Sequence, residues 1–469
     1  MKKLVSFAIL LLFAWALLAY SFNIFPVSGA FTTIYIRANG MIDPPTAPIQ
    51  RDGNVYRFVS DINGSIVIER DNIVVDGQDY SLVGIEDFES KAFNLTGRTN
   101  VTIQNVRISR FYFGVWLYYS NRNVIVGNFA TDNIGRCVWL GYSNNNSVIV
   151  NNFTENKGRG ILLDHSHNNT IMQNRIVDND CDAMIIDHSD GNVIVGNVAT
   201  GHIGHGVWLG YSNNNSIVEN NFTENNYDGI GLYFSNGNDI RRNTVTMNNY
   251  HGIQLRYSPN NTICNNNFVN NTIQAYIYPS LENTWDNGYP FGGNFWSDHD
   301  LTDEYGGVNQ NVTGSDGVSD APYFVDVNNV DEYPFRGVFY SFNVSLGCGV
   351  YVVSNSIIED FQYFESDGSI RIFASSLIAN QTDGFCRLAI PHDVVSPPYN
   401  VTVNGNSVDY SIIFDNGTMS IIYFGYDYSV VGIIVIPEFP LFYFLLFAFA
   451  IFSAIHVLLG RVRFMRNEG

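Results

Sequence analysis

Charge is scarce in this chain. Only 14% of its 469 residues are charged, and 24 Lys and Arg face 44 Asp and Glu, for a formal net charge of −20. Such a surface repels phosphate backbones, which excludes a nucleic-acid partner. Cysteine is equally sparse. Cys137, Cys181, Cys264, Cys348 and Cys386 form an odd set, too few for a disulfide scaffold. Cys348 and Cys386 share one small domain and could pair. No Cys-x-x-Cys or His-x-x-x-His spacing occurs, so the common zinc motifs are missing.

What is present instead is asparagine at a fixed step. Asn100, Asn123, Asn146, Asn169, Asn192, Asn215, Asn238 and Asn261 recur every 23 residues. A second column follows at Asn105, Asn128, Asn151, Asn174, Asn197, Asn220, Asn243 and Asn266, and serine keeps the step from Ser120 to Ser258. A constant period of this length marks a solenoid whose repeats are stacked coils. Apolar residues alternate within each coil, the mark of strands with one buried face. The inward columns run from Val115 to Ile253, from Leu117 to Leu255, and from Thr102 through Ile125 to Ile263. A small residue precedes the first of these, with Cys137 in that column as a packed thiol. Stacked amides can bond from coil to coil, so the Asn columns read as structure. Gly127–Asn156 nearly repeats as Gly196–Asn225, an offset of three coils. The fold class is all-β: a parallel β-helix with 23-residue coils.

The pattern G-[IV]-x-L-x-x-S-x-x-N-x-I-x-x-N resembles the right-handed β-helix domains named after NosD, a periplasmic protein linked to copper-enzyme maturation. The resemblance runs from about Thr33 to Pro334. It implies a right-handed, pectin-lyase-like solenoid, and those domains are also grouped with carbohydrate-binding and sugar-hydrolase β-helices. It specifies fold, while the repeat itself is scaffold rather than site.

The remaining organisation follows from composition. Residues 1–30 read as a signal peptide: Lys2 and Lys3 precede an apolar run, and Ser28-Gly29-Ala30 suits cleavage. Residues 31–71 are expected to cap the solenoid, which occupies 72–282. Residues 283–337 form an Asp-, Gly- and aromatic-rich capping segment. Oxygen ligands at this density suggest calcium, with Asp298, Asp300, Asp303, Asp316 and Asp320 as ligands, although no EF-hand loop is present; Asx turns are the alternative. Residues 338–436, with turns at Asp367-Gly368, Asn404-Gly405 and Asn416-Gly417, suggest a β-sandwich. Residues 437–469 hold Pro437-Glu438-Phe439-Pro440, a transmembrane helix at 441–460 and a basic tail, which places the tail in the cytoplasm and the bulk outside. That tetrapeptide looks like the PEF-type sorting signal of archaeal surface proteins, which implies a tail that is cut and replaced by a lipid anchor. Fifteen Asn-x-Ser/Thr sequons fit an extracytoplasmic, cell-surface location.

The candidate site lies on the outward positions of one strand per coil. Those columns place Trp116, Trp139 and Trp208 around Asp164 and Asp187, with Asp182, Arg136, Arg159 and His205 along one edge. Indole faces stack on sugar rings and carboxylates accept bonds from hydroxyls, so the leading expectation is a surface that binds extracellular polysaccharide. Asp164 and Asp187 fall on adjacent coils about 4.8 Å apart, close enough for one to act as a general acid. A hydrolase or lyase is therefore the second reading, with Asp164, Asp187 and Asp182 catalytic. His165 and His188 stand in a column otherwise held by Tyr119, Tyr142, Tyr211, Phe234 and Tyr257, and read as packed with those rings. A structural surface or adhesion protein is a third reading. Copper handling is a fourth, resting on the family name, since His202, His205 and His251 are scattered and copper wants clustered donors.

Overall fold

A coil of this solenoid turns at corners that L-residues dislike. In one coil Val150, Glu155, His165 and Asn168 all have φ between 48° and 55°, the left-handed region that is sparsely used outside glycine. Each is followed by a fully buried polar residue: Asn151, Asn156, Ser166 and Asn169. The buried side chain supplies the bonds that the bent backbone cannot make with itself. Asn151 Oδ1 accepts from Asn128 N at 2.9 Å and from Asn128 Nδ2 at 3.0 Å, while its own Nδ2 donates to Ile125 O at 2.9 Å and Asn174 Oδ1 at 2.9 Å. Repeated at each corner, this gives coil-to-coil amide ladders that satisfy buried backbone groups.

The computed structural model describes residues 31–345, 347–376, 381, 383–427 and 431–437. The expected signal peptide, the Pro437–Pro440 motif beyond its first residue, the transmembrane helix and the basic tail lie outside the described residues. Among the described residues no helix is long and apolar enough to cross a membrane.

The described chain forms two compact units. The first comprises the residues up to Ser216 together with Asn220–Asn236 and Asn248–Tyr250. Its strands pair in parallel from coil to coil. Phe113–Tyr118, Arg136–Gly141, Ile161–Asp164, Met184–Asp187, Val207–Gly210 and Ile230–Tyr233 follow one another in the sheet that carries the candidate site. The inward columns are buried, with Val138, Leu140, Ile161, Leu163, Ile186 and Val207 at zero exposure. Parallel pairing starts before Asn72: Thr32–Ile36 already pairs with Ile62–Ile68. Residues 31–71 thus contribute coil strands of their own, alongside an antiparallel hairpin of Ile49–Asp52 and Val55–Phe58.

One register differs from the reading of the sequence. Val124 pairs with Thr102 and Ile125 with Ile103, so Ile103 is the inward residue and Thr102 faces out. That coil is one residue shorter than its neighbours. Asn100 and Asn105 accordingly sit at left-handed corners (φ 54° and 52°) and do not head the buried ladders. Val101 N and Val106 N donate to Asn123 Oδ1 and Asn128 Oδ1 instead. A third buried ladder, through Asn133, Asn156 and Asn179, joins the two columns expected from the sequence.

The second unit holds Ile217–Glu219, Gly237–Met247 and the described residues from His251 onward. Its two Asn ladders end on one short strand, Asn329–Asp331. Asn283 N and Trp285 Nε1 donate to Asn329 Oδ1, and Asn294 N and Trp296 Nε1 donate to Asp331 Oδ2 at 2.7 and 2.9 Å. The strands from Val338 to Pro437 then form two five-stranded antiparallel sheets. Val350, Ile372, Leu388, Ile422 and Ile433 are among the residues of their shared core. Cys348 and Cys386 are both free thiols. Cys386 is buried against Ser354 and Tyr426, and its burial pushes the thiol pKa up to about 12.

Candidate functional site

Strand register builds this site in the first unit. Trp116 pairs with Trp139, then Leu162, Ile185 and Trp208 follow across successive strands, while Gly141, Asp164, Asp187 and Gly210 form the neighbouring outward row. The sheet therefore brings together the Trp and Asp columns expected from spacing. The indoles do not stand out into solvent: all three are half-buried. A Cβ at Gly141 would lie 2.5 Å from Trp139 Cζ2, and one at Gly210 would lie 2.2 Å from Trp208 Cη2. The two glycines thus let each indole lie flat along the sheet. Trp116 and Trp139 have ring centroids 3.8 Å apart, and Phe113 and Tyr118 complete an aromatic cluster around them. Lys91 Nζ sits 4.5 Å from the Trp116 ring, a favourable cation–π distance.

Asp164 and Asp187 are direct register partners. Each carboxylate engages the histidine that follows it: Asp164 Oδ1 to His165 Nδ1 at 2.7 Å and Asp187 Oδ1 to His188 Nδ1 at 3.1 Å. With the proton on Nδ1, Nε2 of each ring is left as the acceptor. The two imidazoles stack at 4.8 Å, 2° from parallel. Tyr119 and Tyr142 continue the stack on one side, Tyr211 and Phe234 on the other, at 4.9–5.3 Å. These rings sit at left-handed corners, and the four non-His members are 38–56% exposed. This aromatic platform is the part of the face that sequence reasoning passed over. The column is legible in the sequence as ring packing, and its exposure is not.

The edge residues are tied up with one another. Arg159 Nε bonds Asp182 Oδ2 at 3.2 Å, and Asp182 Oδ1 accepts from His205 N at 3.0 Å. His205 Nδ1 lies 3.4 Å from Asp228 Oδ2, outside hydrogen-bond alignment. The Arg136 guanidinium lies 5.6–5.8 Å from the Tyr112 and Phe113 rings, and its Nε is buried without a bond. Asp182 therefore stands in an edge network rather than beside the Asp164–Asp187 pair.

The acidic residues of the second unit use their oxygens on backbone. Asp303 accepts from Asp316 N and Gly317 N, Asp316 from Val318 N, Asp320 from Glu304 N and Tyr305 N, and Asp300 from Thr302 N. Asp298 takes the Tyr323 hydroxyl at 3.4 Å. Among the described residues no group of three or more His, Cys, Asp or Glu is placed to hold a metal ion. Burial pushes Asp303 up to about 6.

His202 fills an Asn position of the third ladder, its Nε2 on Ile176 O at 3.1 Å, and His251 stacks on Tyr276. The scattered histidines thus serve the scaffold separately, and they do not fit a copper site.

Two family models match this chain. The model described as "Right handed beta helix region" covers residues 71–222, and the one described as "Periplasmic copper-binding protein (NosD)" covers residues 185–301. The chain is a right-handed β-helix repeat protein. No curated protein matches its sequence. Among solved structures, this β-helix protein is similar to the Azotobacter vinelandii mannuronan C-5 epimerase AlgE6 A-module at 14% identity, covering 54% of this chain and 90% of that one, with a TM-score of 0.37. For the periplasmic alginate epimerase AlgG the figures are 18%, 49%, 68% and 0.29. For a GH87 alpha-1,3-glucanase catalytic domain with nigerose they are 11%, 54%, 63% and 0.34. Likeness at this level carries no argument about chemistry.

Proposed function

We propose that this chain is a membrane-anchored, cell-surface β-helix protein that binds extracellular carbohydrate along the Trp/Asp face of its first unit. The observation that supports it most is the continuity of that face. Trp116 and Trp139, then Asp164 and Asp187, then Trp208 follow one another along adjacent strands, beside the stacked platform from Tyr119 to Phe234. Ring faces suit the C–H faces of sugars, and the carboxylates and imidazoles between them suit hydroxyl groups. A polymer laid across the strands meets these groups in order. The surface reading rests on the apolar runs at both ends and the sequons.

A second reading is favoured by one specific feature. The Asp164–His165 and Asp187–His188 pairs resemble oriented bases, each imidazole held by a carboxylate at 2.7 or 3.1 Å. A polysaccharide hydrolase or lyase would use the same face.

The full-length protein can be tested on a panel of neutral and acidic polysaccharides for retention and for release of new ends. Retention without product, lost in Trp139→Ala combined with Trp208→Ala, is the expected result. Product release abolished in Asp164→Asn and Asp187→Asn would replace it with the enzymatic reading. Neither retention nor product on any polymer would leave the face a structural surface.

A further inference from the structure

The outer face of the C-terminal sandwich carries a cavity unrelated to the Trp/Asp face. Alternation along its strands turns Val350, Val352, Cys386 and Leu388 into the core and leaves Tyr351, Arg387, Ala389 and Ile421 on the other side. There they line a cavity of about 430 Å³, closed also by Phe335, Arg241 and Arg242. Every residue of it belongs to the second unit. Its size lies within the range of small-molecule sites.

One of its three guanidinium groups lacks an ion pair. Arg241 is paired with Asp239, and Arg242 Nη1 lies 3.3 Å from Glu219 Oε1. Arg387 has no such partner among the described residues. It is 4% exposed, and its bonds run to neutral carbonyls: Nε to Asp316 O at 2.8 Å and Nη2 to Pro290 O. The Asp316 carboxylate is engaged with Val318 N and Gly307 N. A buried guanidinium is costly unless an anion bonds it directly; the Asp316 and Asp303 carboxylates act on Arg387 through space, while its hydrogen bonds run to carbonyls. Desolvation accordingly holds the Arg387 pKa below the ordinary arginine value. Beside it the Phe335 ring lies 5.7 Å from the Arg387 guanidinium, and Tyr351 lies 4.8 Å from that of Arg242. Flat apolar walls next to a guanidinium with no bonded anion define the ligand.

We propose that this cavity binds a small ring compound bearing a single carboxylate, with the carboxylate on Arg387 and the ring against Phe335 and Tyr351. Hexuronate sugars and aromatic acids share that chemistry. A carboxylate matches the guanidinium fork in two parallel bonds. The site is independent of carbohydrate binding on the first unit.

Isothermal titration of the full-length protein with sodium glucuronate, sodium benzoate and glucose tests this. One site for at least one of the two carboxylates, with no heat from glucose, is expected. Affinity should fall at least tenfold in Arg387→Gln. Since Arg387 also ties Pro290 and Asp316 to the sandwich, Ala389→Phe provides a second variant that fills the cavity and removes no hydrogen bond; it should lose binding to the same extent. No heat from either carboxylate, equal binding of glucose, or undiminished binding in Ala389→Phe would overturn the proposal. Binding by glucuronate alone would assign the site to sugars, and binding by benzoate alone to aromatic acids.

Discussion

Single residues in this solenoid are held to unusual standards at the corners. Val150 occupies a left-handed corner at φ 55° and is 53% exposed, while its equivalents one coil before and two coils after are Gly127 and Gly196, with φ of 64° in both. A β-branched residue there carries strain of about 1–2 kcal/mol, partly offset by the entropy that glycine would lose on folding, about 0.5–1 kcal/mol. Val150→Gly should therefore stabilise the first unit by roughly 0.5–1 kcal/mol in urea unfolding; a loss of stability would show that Val150 contributes packing not visible in its exposure. His202 presents the opposite case. It is 1% exposed, with Nδ1 buried and unbonded, and desolvation lowers its pKa. The unfolded chain then binds more protons than the folded one below the ordinary histidine value of about 6.5. Its contribution is present in full above that pH and is lost as pH falls. His202→Asn should restore the ladder, adding about 1 kcal/mol at neutral pH and more at pH 5. A stability gain that does not grow on acidification would sink this account.

At the scale of the element, the amide ladder dominates. The Asn151 side chain bonds three groups of the coil below and Asn174 above, so Asn151→Ala leaves Asn128 N buried without a partner and removes a bond from Ile125 O. At about 1–3 kcal/mol for the unsatisfied amide, plus about 1 kcal/mol for the other bonds lost, the cost is roughly 2–4 kcal/mol. Thermal unfolding of that variant should show a large drop, whereas truncating exposed Asn145 should change little. The same logic explains which columns the sequence reveals. Val115-type and Leu117-type positions repeat without interruption and are buried as their alternation requires. The third ladder is broken by His202 and so was hidden among many asparagines. The one-residue deletion before Asn123 is likewise invisible to a count of asparagines, because Asn100 and Asn105 are also asparagines. Only the pairing of Ile125 with Ile103 exposes it.

At the scale of the molecule, the second unit ends one of its two Asn ladders on a buried acid. Asp331 is fully buried on Asn294 and Trp296, and burial, outweighing its hydrogen bonds, pushes its pKa up to about 7. Asp303 shifts in the same direction, to about 6. A raised carboxylate means that the folded state holds protons the unfolded chain has released. Their stabilisation is complete below the ordinary carboxylate pKa of about 3.9 and is lost as pH rises through 6 and 7. The transition of the second unit should therefore move to lower temperature between pH 4 and pH 8, and Asp331→Asn should flatten that dependence; a rise over the same interval would contradict it. The first unit, through His202, should show the reverse slope near pH 6. What the sequence by itself determined is the coil: a 23-residue step, alternating apolar columns and recurrent Asn leave few other ways to bury one face of every strand. It also placed Trp116, Trp139, Trp208, Asp164 and Asp187 on one sheet, because equal spacing means equal position on stacked coils. Tertiary structure alone decided which way those groups face and what they touch. Gly141 and Gly210 lay the indoles flat, left-handed corners push the Tyr119–Phe234 rings outward, and residues far apart in sequence meet around Arg387. Periodicity fixes position along a strand, but exposure and charge balance depend on neighbours that the repeat does not encode.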